Sequence, residues 1–273
     1  MTLALVVTVP VSEAELAADV LWGLGVAAIE ERTGDHDMSF VELWTSIGDD
    51  REAVVREAEA FPTRWRWRLV EVDPAVAESW REHATVTWVE SDLALVPAWL
   101  DAELAPEVLR VDIDPGAAFG LGDHPTTVLS ARLLRSAWWP GASVLDVGTG
   151  SGVLAILAAR LGAPYVRGID IAPAALGATR ANARRNGVEG VVDVSATPLA
   201  KVSEAADIVV ANLLAPVLVD LADDLRRVTE PAGTLIISGI LAASHRHVLD
   251  ALAPMRAVAT VTKEGWAAVQ LRW

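Results

Sequence analysis

Residues 143–153 place one carboxylate and three glycines at a spacing that can hold a ligand by backbone alone. Ser143, Val144 and Leu145 form an apolar lead-in to Asp146; glycines follow at Gly148, Gly150 and Gly152, and Val153–Arg160 continues at helical spacing. Strand, tight turn and helix in that order leave the backbone without Cβ atoms where something must come close. A dinucleotide turn spaces its glycines as Gly-x-Gly-x-x-Gly, one residue longer than here. The competing reading is a generic strand-to-helix turn with no ligand.

Three further groups could share that site. Asp170 ends the strand-like stretch Tyr165–Asp170, about 20 residues past the glycines, where a carboxylate can accept two hydrogen bonds from ribose hydroxyls. It could equally cap the helix that starts at Pro173. Asn212 ends another strand, in Asn212-Leu-Leu-Ala215. Its side-chain oxygen and a following backbone carbonyl can accept from an amine and aim the nitrogen lone pair; a plain turn-forming Asn is the alternative. Asp114–Thr127 holds three glycines and two prolines in a long loop before a helix. Such a loop is expected to cover a ligand, with Phe119 as its apolar contact, or else to serve only as a connector. Ser195-Ala196 ends a third strand and nominates no side chain.

The elements that must position these groups alternate strand and helix. Strands are expected at Ser143–Val147, Tyr165–Asp170, Val191–Ser195, Asp207–Asn212 and Thr234–Ser238. Helices are expected at Gly152–Leu161, Pro173–Asn186, Pro216–Thr229 and Ala242–Leu252, and a hairpin of Arg256–Thr262 with Ala267–Arg272 ends the chain. This predicts a doubly wound α/β sheet, whose ligands bind beyond the carboxyl ends of the strands. The first 72 residues read β-α-β-β-α-β, a split ferredoxin-like sandwich. Its first helix is expected to start at a Ser12/Glu15 capping box and to bury Leu16, Val20, Leu21 and Leu24 on one face. Between the two, residues 73–105 are expected to be a connector with a short helix at Ala75–His83 and a strand or two. Its tryptophans, Trp80, Trp88 and Trp99, are expected to be buried between domains, a recognition surface being the alternative.

Composition sets bounds. The chain has 273 residues and no cysteine, which excludes disulfides, thiolate metal sites and cysteine nucleophiles. Its five histidines make no metal-ligand pattern, so no metal is expected. Net charge is −15, with 7 basic and 19 acidic side chains in residues 1–100 against 15 and 18 in the remainder. That surface repels phosphate backbones and attracts basic partners, or simply keeps the chain in solution. Met1–Val9 lacks a basic lead-in and reads as a strand, and the apolar run at 208–222 is interrupted by Asn212, Pro216 and Asp220. A cytoplasmic, monomeric protein that contacts neither membrane nor nucleic acid is expected.

Asp146-x-Gly-x-Gly-x-Gly152 is the pattern of class I S-adenosylmethionine (AdoMet) methyltransferases. With Asp114–Thr127, Val144–Ile156, Gly168–Ala172, Val210–Ala215, Gly233–Leu241 and Gly265-Trp266, the chain resembles the PrmA family, AdoMet-dependent methyltransferases of large-subunit ribosomal protein eleven. Phe-Gly-x-Gly-x-His-Pro-Thr-Thr is its most specific stretch; Leu121 and Asp123 depart mildly from the family pattern. The resemblance implies a ferredoxin-like substrate-recognition domain (residues 1–72), a linker (73–105) and a class I methyltransferase domain with a Rossmann-like seven-stranded sheet (106–273). It implies AdoMet contacts at Thr127, Gly148, Asp170 and Asn212; with Phe119 as the loop's apolar contact and Gly150 in the glycine turn these are the expected AdoMet-binding residues, and Asn212 is also expected to orient the amine to be methylated. The implied reaction methylates lysine ε-amines or the N-terminal α-amine of that basic ribosomal protein. A methyltransferase of another protein, a nucleic acid base or a small molecule is one alternative; a non-catalytic AdoMet-binding regulator is the other.

Overall fold

A run of apolar and β-branched residues makes the first strand. The computed structural model describes residues 2–23, 29–33, 39–46, 51–72, 84–115 and 122–273, and divides the chain into two compact units, Met1–Ala84 and Thr85–Trp273.

In the first unit, β1 (Thr2–Pro10) runs through a short 3-10 turn (Val11–Glu13) into α1 (Ala14–Gly23). β2 (Ile29–Thr33), β3 (Phe40–Ser46), α2 (Arg51–Ala58) and β4 (Arg66–Val72) follow. The sheet is antiparallel in the order β2-β3-β1-β4. That is the ferredoxin-like split sandwich. Leu5, Val7 and Val9 of β1 join Val41 and Leu43 of β3, Trp65, and Ala14, Ala17 and Leu21 of α1 in one core. Two expectations for α1 are corrected. Ser12 lies inside the 3-10 turn, so the helix grows out of that turn and not from a Ser12 cap. Leu16 and Val20 are exposed, at 52% and 37%. The helix lies on its Ala14–Ala17–Leu21 row, where alanines let the backbone approach the sheet, and that row is one residue position around the cylinder from Leu16 and Val20. Leu24, Trp80 and the Ala75–His83 helix fall outside the described residues.

The second unit begins within the expected connector. β5 (Thr87–Glu90), β6 (Leu93–Pro97) and β7 (Leu109–Ile113) form a three-stranded sheet, of which β5 and β6 lie in the expected connector, where a strand or two were expected. Leu93–Val96 is a buried strand whose Leu93 and Leu95 share a core with Leu129, Leu133 and Leu134 of α3 (Pro125–Ala137). Arg132 donates from Nε to Val89 O at 2.8 Å, and Arg135 pairs with Asp92 and Glu90, which pins the β5–β6 hairpin to α3. On β5, Val89 faces the core, so its neighbour Trp88 points outward and is 47% exposed instead of buried.

The main sheet has seven strands: β8 (Val144–Val147), β9 (Val166–Ile169), β10 (Val192–Ser195), β11 (Ala206–Asn212), β12 (Thr229–Leu241), β13 (Arg256–Lys263) and β14 (Trp266–Arg272). Their order is β10-β9-β8-β11-β12-β14-β13, with β14 antiparallel to its neighbours. The order reverses between β8 and β11, which puts the ligand crevice at their carboxyl ends. α4 (Val153–Arg160) follows β8, and α5 (Pro173–Arg185) follows β9. The single helix expected at 216–229 is two, α6 (Ala215–Asp220) and α7 (Ala222–Arg227), joined at Leu221; the bend lets Leu218 and Leu225 both reach one core. The helix expected from Ala242 starts later, as α8 (Arg246–Ala251), because the Ala242 amide donates instead to Gly265 O at 2.8 Å.

Candidate active site

The glycine turn is held from three sides. At the end of β8, the amides of Gly148 and Thr149 both donate to Ile169 O, at 2.9 and 3.0 Å. Gly148 has φ +72°, and a Cβ there would lie 2.4 Å from Leu213 Cδ2. Behind the turn Asp146 is fully buried. Its Oδ2 accepts from Thr149 Oγ1 at 2.7 Å and from the Ala155 amide at 3.2 Å, tying β8 to the first turn of α4. Burial pushes the Asp146 carboxyl up to about 6, with the nearby Asp170 charge adding to the rise. On the third side, Thr179 of α5 donates from Oγ1 to Gly150 O at 2.9 Å.

Asp170 is brought directly to the turn. Its Oδ2 accepts from the Gly150 amide at 2.9 Å, and its Oδ1 accepts from the Ala172 amide at 2.9 Å. The second bond closes a short turn before α5, whose N-cap is Ala172, so Asp170 shapes the helix entry without being its cap. Each oxygen keeps a lone pair for a ligand hydroxyl. The Asp170 amide donates to Ser195 O at 3.2 Å, which joins the end of β10 to the same rim.

Asn212 is the last residue of β11, half-buried and opposite Ser238 of β12. Among the described residues no group hydrogen-bonds its side chain. The following peptide is boxed in: Leu213 donates to Ser238 O at 3.1 Å, and Gly239, at φ +83°, packs so closely that a Cβ would lie 2.3 Å from Leu213 O. The Asn212–Leu213 strand end is thus wedged between Gly148 and Gly239.

Thr127 is buried in the first turn of α3. His124 caps that helix, its Nδ1 lying 2.8 Å from Thr126 Oγ1 and accepting from the Thr126 amide at 3.3 Å. Its ring packs edge-to-face on Trp266 at 5.2 Å, and burial holds the imidazole below the ordinary histidine value. Ser238 Oγ lies 3.3 Å from Thr126 O and 3.0 Å from Ala267 O, so the helix start rests on the strand that also pairs with Asn212. Phe119 lies outside the described residues.

Of the expected site residues, Gly148, Gly150, Asp170 and Asn212 therefore meet at adjoining strand ends, and Thr127 follows Thr126, whose carbonyl accepts from Ser238. Asp146, Thr179 and Gly239 also shape the site without having been assigned a role from the sequence. Asp146 carried a signal in its place directly before the glycines, whereas nothing in the sequence ties Thr179 or Gly239 to the turn. No group of three or more potential metal ligands occurs among the described residues.

A turn stripped of Cβ atoms, an acidic acceptor beside it and an amide at the next strand end suit a ligand with ribose hydroxyls and an extended polar tail. A family model described as ribosomal protein L11 methyltransferase (PrmA) matches residues 15–273. The ribosomal protein L11 methyltransferase of Symbiobacterium thermophilum is 40% identical over 241 residues, 86% of this chain and 76% of that protein. That of Geobacillus thermodenitrificans is 41% identical over 178 residues, 64% of this chain and 57% of that protein. The crystal structure of a ribosomal protein L11 methylase from Lactobacillus delbrueckii subsp. bulgaricus superposes with a TM-score of 0.65 at 33% identity. It covers 69% of this chain and 98% of that one.

Proposed function

This chain belongs to the ribosomal protein L11 methyltransferase family, and from that premise we propose that it methylates lysine ε-amines or the N-terminal α-amine of ribosomal protein L11. Its methyl donor is AdoMet. The cradle fits that group: without a Cβ, Gly148 takes the left-handed turn and lets Leu213 of the neighbouring strand end close on it, and Asp170 retains acceptor capacity beside Gly150. When bound, AdoMet supplies a methyl already activated on a sulfonium sulfur, so the protein's work is positioning and desolvation.

Each residue then has a task. Gly148 and Gly150 let the backbone approach the donor, Asp170 accepts from ribose hydroxyls, and Thr127 and Phe119 contact the donor from the Asp114–Thr127 side. Asn212 accepts from the target amine, with a backbone carbonyl next to it, and so turns the nitrogen lone pair toward the methyl. A free lysine, with a pKa of about 10.4, is neutral about once in 10³ molecules at pH 7. Desolvation beside a sulfonium favours the neutral amine, so no dedicated base is assigned. The observation that carries the reading is the Asn212–Leu213 strand end packed against Gly148: it sets the amine-binding group beside the donor cradle.

The ferredoxin-like unit is the substrate-recognition module in this reading, and residues from Thr85 onward form the catalytic one. The enzyme works as a cytoplasmic monomer without contacting nucleic acid or membrane; no helix among the described residues is long and apolar enough to cross a bilayer. The test is incubation of purified L11 and AdoMet with the protein, followed by peptide mass spectrometry. Methyl groups on lysine or N-terminal amines of L11 are the expected result. AdoMet binding without methylation of L11 would favour a different target or a regulator.

A further inference from the structure

Asn182, in the last turn of α5, is fully buried and every hydrogen-bonding position of its amide is used. Nδ2 donates to Ser151 O at 2.9 Å and to Asp114 O at 2.8 Å; Oδ1 accepts from the Asp114 amide at 3.0 Å and from Arg185 Nη1 at 2.6 Å. Two donors and two acceptor positions are all that an amide has. Aspartate would present no donor to the two carbonyls, and leucine would leave them unpaired.

These bonds join two segments far apart in sequence. One is the glycine turn, at Ser151. The other is Asp114, at the exit of β7, where the long Asp114–Thr127 segment begins. One turn of helix on, Asn186 repeats the pairing with the Asp112 backbone, accepting from its amide at 2.9 Å and donating to its carbonyl at 2.7 Å, but makes no bond to the glycine turn. Thr179, one turn before, holds Gly150 O. Side chains of α5 thus fix two consecutive carbonyls of the turn. In a trans peptide the carbonyl and the following amide point opposite ways, so fixing Gly150 O also sets the Ser151 amide, and fixing Ser151 O sets the Gly152 amide, which donates to Thr149 O at 2.8 Å and closes the turn.

We propose that Asn182 is a positioning residue for AdoMet: its amide holds the Ser151–Gly152 peptide in the orientation that the donor cradle requires, using Asp114 as the fixed point. This rests on the assignment of the glycine turn as the AdoMet cradle. Asn186 shares the helix, the burial and the bonds to β7, so it separates a role in positioning the turn from a role in stability alone.

The test measures AdoMet affinity by calorimetry, KM for AdoMet and for L11, and the unfolding midpoint without ligand, all in the full-length chain. Asn182→Asp, which keeps the shape but removes both donors, is expected to raise the AdoMet Kd and KM by about tenfold or more, with KM for L11 within about threefold of the native value. Asn186→Ala is expected to lower the unfolding midpoint while leaving AdoMet Kd within about threefold. Should Asn182→Asp fail to fold, Thr179→Val reads the same seam and is expected to weaken AdoMet binding severalfold. Native AdoMet affinity in the folded Asn182 variant, or equal weakening by Asn186→Ala, overturns the proposal. Absence of AdoMet binding by the unaltered protein would instead overturn the cradle assignment.

Discussion

Asp146 shows how much one side chain can carry behind a site it does not face. Both its hydrogen bonds go to a single oxygen, Oδ2, and desolvation raises its pKa to about 6. The folded state therefore holds the proton more tightly than the unfolded chain does. Below the unfolded value of 3.8 the group costs nothing; from there to about pH 6 stability falls as pH rises, because the folded state binds more protons. The full cost, about 3 kcal/mol, is present above that window. Asn at this position keeps an oxygen for Thr149 and Ala155 and cannot ionise. Asp146→Asn is expected to flatten the stability–pH curve between about pH 4 and 6 in denaturant titrations; an unchanged slope would assign the pH dependence to other groups. The acid was visible in the sequence as the residue before the glycines, but its burial and its single-oxygen bonding were not. Asp170 was more legible, because its distance from the glycines matches one strand-helix-strand repeat.

At the level of elements, the strand ends explain why two glycines are needed around one peptide. Gly148 and Gly239 both have positive φ and both face Leu213, but they meet different parts of it. A Cβ on Gly148 meets the end of a side chain, which can rotate aside; a Cβ on Gly239 meets the backbone of Leu213, whose amide is tied to Ser238 O. Gly239→Ala is therefore expected to cost more stability than Gly148→Ala, at least about 2 kcal/mol against about 1 to 2. Thermal or chemical unfolding of the pair checks the order, and the reverse ranking would mean the β12 end is softer than the glycine turn. The alternation of strands and helices from Val144 onward was readable because each strand is a short apolar run bounded by glycine, proline or a polar end. In the connector a strand or two were expected without bounds, for the same physical reason in reverse. Leu93–Val96 is too short to show a period, and only its partners on α3 make it a core strand. In α1 the period was present, but alanine, not leucine, marked the face that packs closest.

Across the whole molecule the charge is unevenly placed. Residues 1–100 carry 19 acidic and 7 basic side chains, the remainder nearly balancing. In the proposed reading, an acidic recognition unit steers a basic, lysine-bearing partner through long-range attraction, which salt screens. Raising ionic strength from about 0.05 M to about 0.5 M is expected to lower kcat/KM for L11 by about tenfold while KM for AdoMet stays within about twofold. A salt-independent kcat/KM would remove charge from the account of substrate choice. The target itself was the least legible part of the sequence. The unit proposed to recognise it carries no ligand motif, whereas the proposed donor site is built from glycines and carboxylates whose types and spacing are distinctive.

The central claim is that Asn212, packed beside the donor cradle, orients the amine that receives the methyl. The direct measurement is single-turnover transfer of labelled methyl from AdoMet to L11 by Asn212→Ala, alongside its AdoMet Kd. The expected result is a transfer rate lower by about 10²-fold or more with AdoMet Kd changed by less than about tenfold. Transfer at the native rate by a variant that binds both substrates would contradict it.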